Sequence, residues 1–190
     1  MSNVLHVGYI GLGNIGKPSA RHLVRDGLQA HVYDVVPAAV EELVSLGATG
    51  HDDVASLASA CSHIGICVRD DAQVEAVLYG DSGVFANAGK GTLVAIHSTV
   101  TREAVLRWSQ EAAADGMALI DAAISGGAQG AEAGTLCYMV GGAEEDVARA
   151  QPVFETSADS VIHAGPVGSG LLLKLCNNVI TYAEFMAMSE

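Results

Sequence analysis

Lys174 and Asn178 are the side chains in this sequence whose types and spacing best suit acid–base chemistry. They lie four residues apart, so in a helix they share one face. Residues 171–188 are mostly apolar, and partial burial would lower the pKa of a lysine from about 10.4 towards the range of a general base. We predict that Lys174 is catalytic and that Asn178 binds the substrate or orients the lysine. A lysine that merely reaches solvent from a buried helix is the alternative.

A second candidate site is the segment Ser125, Gly126 and Gly127, which ends a predicted strand. A serine followed by two glycines offers a hydroxyl and accessible backbone N–H groups, which suit a carboxylate. Ligands of open α/β sheets bind outside the carboxyl ends of the strands, so we predict a substrate-binding role for these residues. Taken alone, the segment is also compatible with an ordinary glycine turn.

A phosphate-binding turn is predicted directly after the first apolar strand. Residues 11–16 have the GxGxxG pattern, between that strand and a predicted helix. In such a turn the first glycine permits the tight bend, the second lets the backbone approach a pyrophosphate, and the third lets the helix pack on the strand. The pyrophosphate then lies at the N-terminus of the helix. The predicted residues are Gly11, Leu12, Gly13, Asn14, Ile15 and Gly16.

Asp34 ends the second predicted strand, 23 residues after Gly11, and indicates which dinucleotide is bound. A carboxylate there accepts hydrogen bonds from ribose hydroxyls and repels a 2′-phosphate. Residues 35–37 contain no Arg or Lys that could bind such a phosphate. The sequence therefore predicts NAD rather than NADP. FAD could use the same turn, whereas S-adenosylmethionine fits less well because a complete GxGxxG favours a pyrophosphate.

Short β-rich apolar runs alternate with helical patterns along most of the chain. Strands are predicted at residues 4–10, 30–34, 63–68, 92–97, 118–124, 135–140 and 160–164. Helices are predicted at residues 15–26, 38–46, 53–60, 72–78, 102–114 and 144–154. This alternation implies parallel pairing and right-handed crossovers. The fold class is therefore α/β, with a Rossmann-like, doubly wound and mainly parallel sheet.

The pattern changes at the turn-rich residues 165–170, after which the chain is helical to its end. This helix has a wide apolar surface, which requires burial, and no glycine, asparagine or proline ends it. We expect residues 1–166 to form the dinucleotide-binding domain. Residues 167–190 would begin the interdomain helix of an all-helical second domain whose remainder is absent. An exposed surface of this kind also predicts a homo-oligomer formed through the terminal helix.

The composition excludes several classes of partner. Nine Lys and Arg stand against 22 Asp and Glu, and the net charge of −13 disfavours nucleic acid. No apolar stretch has the length of a membrane span, and no signal peptide is recognisable. The four cysteines form no CxxC pair, so we expect all four to be core residues. The seven histidines have no HxxxH or HExxH spacing, so we expect core or surface residues and no metal site. The protein is expected to be soluble and cytoplasmic.

Three motifs in this order resemble the β-hydroxyacid dehydrogenase family, which includes 3-hydroxyisobutyrate dehydrogenase and tartronate semialdehyde reductase. The NAD-binding domain of 6-phosphogluconate dehydrogenase is a relative. The glycine turn is similar to the family's GLGxMG, with Ile15 in place of Met. Residues 121–127 are similar to Asp-Ala-Pro-Val-Ser-Gly-Gly, with Ala123 in place of Pro, and residues 168–178 match GxGxxxKxxxN.

The resemblance implies reversible oxidation of a small β-hydroxy acid by NAD, with Lys174 as the general acid and base. It also implies that Val68, Arg69 and Thr99 border the cofactor, although the family usually has Leu-Pro or Leu-Ser where this chain has Val68 and Arg69. Two alternatives remain open. An imine reductase-like enzyme generally lacks the lysine, and a non-catalytic NAD-binding, dimerising module would need no substrate-closing domain.

Overall fold

A computed structural model of the chain describes residues 5–25 and 28–189. Within these ranges the strands are β1 (His6–Ile10), β2 (Gln29–Tyr33), β3 (Thr49–Gly50), β4 (His63–Ile66), β5 (Leu93–Ile96), β6 (Ala118–Ser125), β7 (Leu136–Gly141) and β8 (Ala158–Gly165). The helices are α1 (Gly16–Arg25), α2 (Pro37–Ser45), α3 (Val54–Ala60), α4 (Asp71–Leu78), α5 (Val84–Asn87), α6 (Arg102–Ala114), α7 (Gly127–Ala133), α8 (Glu144–Phe154) and α9 (Ser169–Ser189). The predicted ends Val4 and Asp26, and Glu190, lie outside the described residues.

The strands form one sheet in the order β3-β2-β1-β4-β5-β6-β7-β8. Neighbours pair in parallel throughout, except that β6 and β7 are antiparallel. The prediction of a doubly wound, mainly parallel α/β sheet is therefore confirmed. The reversal at β7 was not predicted, and it follows from the short connection. Residues 126–135 are too few for the crossover that a parallel neighbour requires.

Helices cover both faces of the sheet and form two separate cores. On one face α3, α4, α5, α6 and the start of α9 pack around Trp108 and Leu57. On the other face α1, α2, α7 and α8 pack around Phe154 and Tyr138. Burial on both faces explains why the central strands are continuously apolar. The short elements β3, α5 and α7 were not predicted. β3 and α5 have only two and four residues, and α7 consists mostly of glycine and alanine, so it shows no apolar face.

α9 has a partly buried beginning and an exposed remainder. Leu171 is fully buried, whereas the residues from Val179 to Ser189 are all exposed. Large apolar side chains that are more than half exposed include Val179, Tyr182, Phe185 and Met188. The expectation that all four cysteines are core residues is wrong for Cys176, which is exposed on this helix. None of the helices in the described part of the chain has the length and apolar character needed to cross a membrane.

Candidate functional site

The predicted phosphate-binding turn lies where the strand order reverses, between β1 and β4. Gly11 has φ +92°, a conformation that side chains disfavour, and its N–H donates to the Tyr33 carbonyl at 3.1 Å. A Cβ on Gly16 would collide with the Gly11 carbonyl, so only glycine lets α1 begin this close to the turn. Gly13 has nothing within 4 Å of the position of a Cβ. The turn therefore leaves open space where a pyrophosphate could approach the backbone.

Asp34 connects the end of β2 to this turn. One carboxylate oxygen, Oδ2, accepts from the Leu12 N–H at 2.6 Å, and Oδ1 accepts from the Val36 N–H at 2.8 Å. A carboxylate has about four acceptor positions, so ribose hydroxyls can still donate to it. Asp34 thus fixes the turn and remains able to bind a ribose.

A cavity of about 430 Å³ opens at the same place, at the carboxyl ends of β1, β2 and β4. It is lined by Ile10, Gly11, Gly13, Tyr33, Asp34, Val35, Val54, Cys67, Val68, Arg69, Gln73, Ala76 and Val77. Five of the predicted cofactor residues are therefore brought together here: Gly11, Gly13, Asp34, Val68 and Arg69. Leu12, Asn14, Ile15, Gly16 and Thr99 do not line this cavity, and Thr99 is exposed after β5.

The loop that carries Val68 and Arg69 is held by residues that the sequence did not single out. The Ser98 hydroxyl accepts from the Val68 N–H at 3.0 Å and lies 2.7 Å from the Val68 carbonyl, to which it donates. The Gln73 side chain accepts from the Arg69 N–H at 3.1 Å, and Asp70 caps α4 by accepting from the Gln73 N–H at 2.9 Å. Asp70 and Gln73 are spaced as in a capping box, and this spacing was the sequence signal that could have indicated how the loop is held.

The predicted substrate loop lies at the end of β6. Gly126 and Gly127 have φ +121° and +61°, so the backbone turns sharply directly after Ser125. Asn177 on α9 lies with its amide nitrogen 3.5 Å from the Ser125 hydroxyl, at the long limit for a hydrogen bond. Asn177 is therefore the asparagine at Ser125, and the role predicted for Asn178, in binding the substrate or orienting Lys174, stays a prediction. Asn178 is half-buried and forms no side-chain hydrogen bond with the described residues.

Lys174 lies one turn before Asn177 on α9 and is half-buried. Burial lowers the pKa of its amine, and the neighbouring Cys137 thiol partly opposes this shift. Cys137 is the register partner of Ser125 in the β6–β7 pair, which locates the lysine at the end of this pair. Lys174 and Asn177 are thus half-buried near the end of the β6–β7 pair, while several large apolar side chains of α9 are exposed.

Asp121 positions α9 and was not predicted to do so. Its side chain is fully buried in β6, and its two oxygens accept from the N–H groups of Gly168 at 2.6 Å and Leu171 at 2.8 Å. Burial raises the pKa of this carboxyl, and the backbone hydrogen bonds oppose the shift. A buried acid in an otherwise apolar strand was the sequence signal. Four residues later the same strand presents Ser125, so one strand aligns helix and loop.

Two histidines, His63 and His97, are buried in the core. The His97 ring stacks on Tyr9 and is 3.0 Å from the Ala122 carbonyl, and His63 lies edge-on to Phe154. Among residues 5–25 and 28–189, no group of three or more His, Cys, Asp or Glu side chains is arranged to hold a metal ion.

Residues 6–165 match the family described as the NAD binding domain of 6-phosphogluconate dehydrogenase. The chain is 37% identical over 174 residues to 3-hydroxyisobutyrate dehydrogenase of Pseudomonas aeruginosa, an alignment that covers 92% of this chain and 58% of that protein. It is 37% identical over 198 residues to NAD-dependent L-serine dehydrogenase of the same bacterium, covering 96% and 63% respectively. The chain thus spans about three fifths of the length of these relatives.

Solved structures superpose on nearly the whole of this chain. The 3-hydroxyisobutyrate dehydrogenase of Mycobacterium tuberculosis, determined with L-serine, superposes with a TM-score of 0.91 at 30% identity, over 97% of this chain and 62% of that chain. An imine reductase from Pseudomonas sp. superposes with a TM-score of 0.85 at 20% identity, over 97% of this chain and 64% of that chain, a likeness of fold alone.

Proposed function

This chain belongs to the β-hydroxyacid dehydrogenase family, and we propose that it is the cofactor-binding part of an NAD-dependent dehydrogenase of small 3-hydroxy acids. Residues 1–166 would form the NAD-binding domain and residues 167–190 the beginning of an interdomain helix. The observation that carries the proposal is the convergence of Lys174, Asn177 and Ser125 at the end of β6. The cavity for the dinucleotide opens at the carboxyl ends of β1, β2 and β4 in the same sheet.

In this proposal the residues at the end of β6 and the lysine on α9 have separate roles. The Ser125 hydroxyl and the N–H groups of Gly126 and Gly127 hold the carboxylate of the substrate. During oxidation the Lys174 amine accepts the proton of the substrate hydroxyl, and during reduction it returns that proton. A bound nicotinamide dinucleotide supplies the acceptor for the hydride that leaves the carbinol carbon.

Asp34 supports NAD rather than NADP, but the fold adds a consideration that the sequence did not. Of the described residues that line the cavity, Asp34 and Arg69 carry charge. A guanidinium could offset the repulsion between the Asp34 carboxylate and a 2′-phosphate. We nevertheless expect the carboxylate to dominate, because its position at the end of β2 is the one that meets the ribose hydroxyls.

The test is a fluorescence titration with NADH and NADPH, followed by turnover with a panel of 3-hydroxy acids that includes 3-hydroxyisobutyrate and serine. NADH should bind at least about tenfold more tightly than NADPH, which corresponds to about 1.4 kcal/mol. Arg69→Met should change the two affinities by a similar factor. Equal affinities of the wild-type chain would contradict the assignment of Asp34, and a chain that binds neither cofactor would refute the proposed function.

A second candidate function is an NAD-binding module without turnover. It needs only the cavity at the carboxyl ends of β1, β2 and β4, whose lining includes neither Lys174 nor Ser125. NADH binding without conversion of any acid in the panel would support this candidate. Lys174 argues against an imine reductase-like reaction, since such enzymes generally lack the lysine.

We further propose that the exposed apolar side of α9 is covered by a second copy of this chain or by further helices of a longer chain. An apolar patch of this extent favours association. Sedimentation of a dilute sample tests this, and a monodisperse monomer whose α9 amides resist hydrogen exchange would contradict it.

We also propose a cytoplasmic location, because four free thiols suit a reducing compartment.

A further inference from the structure

Three histidines are hydrogen-bonded in series across the β1–β2–β3 edge of the sheet. His6 Nδ1 lies 2.9 Å from His31 Nε2, and His31 Nδ1 lies 2.9 Å from His51 Nε2. The series ends on α3, where His51 Nδ1 lies 3.0 Å from the Ser56 hydroxyl. The two nitrogens of His31 point to different neighbours, so the rings form a chain and do not converge on one point.

This chain of rings connects the sheet edge to α3 and the cofactor cavity. His31 is the register partner of Gly8, and a Cβ on Gly8 would contact Leu57 of α3, so His31 lies on the α3 side of the sheet. His51 also donates its backbone N–H to the Val32 carbonyl at 3.0 Å, which extends the edge pairing. Val54, in the first turn of α3, lines the cavity. The imidazoles therefore hold the helix turn that supplies one wall of the cavity.

The number of protons that the three rings can carry follows from their hydrogen bonds. Each of the two N···N contacts holds one proton, because one nitrogen must donate and the other accept. The outer nitrogens, His6 Nε2 and His51 Nδ1, can hold one proton each, and Ser56 can accept from His51 because its own hydroxyl donates to the Asp53 carbonyl at 3.1 Å. Four protons are therefore the maximum, one more than three neutral imidazoles carry. A second added proton must break an N···N hydrogen bond.

The burial of the rings and the titratable groups around them determine at which pH the second proton is taken up. Burial lowers the pKa of His31, and the neighbouring His51 and His6 rings lower it further. Burial also lowers the pKa of His51, while Asp53 and Asp52 oppose that shift. Two further titratable groups lie on this side. Burial raises the pKa of Cys61, next to Gly8, to about 12, so it stays a neutral thiol, and the Tyr33 phenol lies on the same face of β2 as His31.

We propose that His6, His31 and His51 act as one proton-sensing unit that holds β3 and α3 against β2 until it takes up a second proton. The second proton breaks the series and releases the first turn of α3 from the sheet edge. Because Val54 belongs to that turn, acid then weakens binding in the cavity. Only the weakened binding in the cavity rests on the proposed function.

The proton count is tested directly by nitrogen NMR of the imidazoles, with hydrogen exchange of the His51 and Ser56 amides measured on the same samples. Between about pH 7.5 and about pH 5 the three rings should together gain one proton before these amides lose protection, and a second proton should accompany that loss. Three independent titrations near pH 6.5, with both amides still protected, would overturn the proposal.

Two variants test whether the protonation of the three imidazoles changes the binding of NADH. His51→Gln removes the ring that reaches α3, and His51 is only partly buried, so the fold should persist. His163→Gln is the control, because that imidazole binds the Gly142 and Gly165 carbonyls outside the series. At about pH 5 the core histidines His63 and His97, whose pKa values are about 3 and about 4, remain neutral.

The wild type and the control should lose NADH affinity below the second protonation, by up to about tenfold per pH unit. His51→Gln should lose affinity less steeply, since the bond that transmits the change is gone. Parallel pH profiles for all three proteins would overturn the proposal. If NADH binds at no pH, the proposed function fails, while the proton count from NMR still decides whether the unit exists.

Discussion

At the scale of single residues, Lys174 carries the proposed chemistry. Its burial lowers the pKa of the amine, which brings the neutral, proton-accepting form closer to neutral pH. Lys174→Ala, made in a protein that turns over substrate, should reduce kcat by roughly 10²–10⁴-fold and leave NADH affinity unchanged. Steady-state kinetics with a parallel NADH titration measure both quantities.

Lys174→Arg is the matched control, because a guanidinium keeps the charge but cannot serve as a base near neutral pH. It should be nearly as inactive as the alanine variant. Near-normal turnover in the arginine variant would show that the residue supplies only positive charge, and the acid–base role would be wrong.

At the scale of secondary structure, the joint between β6 and α9 is set by Asp121. Asp121→Asn replaces one carboxylate oxygen by an NH₂ group, which would face the N–H of Gly168 or Leu171. A buried N–H without an acceptor costs about 1–3 kcal/mol, so the free energy of unfolding should fall by about that amount. Asp159→Asn, at an exposed position on β8, should have little effect. Urea unfolding compares the two, and equal losses would contradict the anchoring role.

Much at this scale could be predicted from the sequence. α6 and α8 begin and end at the predicted residues, and the glycine turn lies between β1 and α1 as expected, because these signals are local. The direction of β7 depends on a connection length in space, and the contact of Asn177 with Ser125 depends on a helix rotation of about 100° per residue. Ser98 holds Val68 across 30 residues, a pairing that no local pattern encodes.

At the scale of the whole molecule, two buried imidazoles make stability depend on pH. Burial lowers the pKa of His63 to about 3, with His97 and Arg149 adding to the shift. Burial lowers the pKa of His97 to about 4, opposed by its hydrogen bond to the Ala122 carbonyl. In the unfolded chain both would titrate near about 6.5, so below that pH the unfolded state binds more protons.

Stability should therefore be fully present above about pH 6.5 and fall as the pH drops towards about 4, by on the order of 3 kcal/mol for His97 alone. Urea unfolding at several pH values measures the slope. His63→Leu should reduce the slope because it removes one of the two titrating groups. It orphans no partner of Nε2, because His63 Nε2 has no hydrogen-bond partner among the described residues. A stability that is flat between about pH 6.5 and about pH 5 would contradict this prediction.

The joint at Asp121 has a consequence for how the chain tolerates changes of length. From Asp121 to Ser125 the strand advances about 13 Å, at about 3.3 Å per residue. From Ser169 to Asn177 the helix advances about 12 Å, at 1.5 Å per residue. The strand β6 and the helix α9, which advance by different lengths per residue, are thus joined at Asp121 and meet again at Ser125. One residue inserted between Leu171 and Lys174 would turn the lysine by about 100° around the helix and away from its present neighbours, so the spacing from Leu171 to Lys174 is fixed by the strand it lies against.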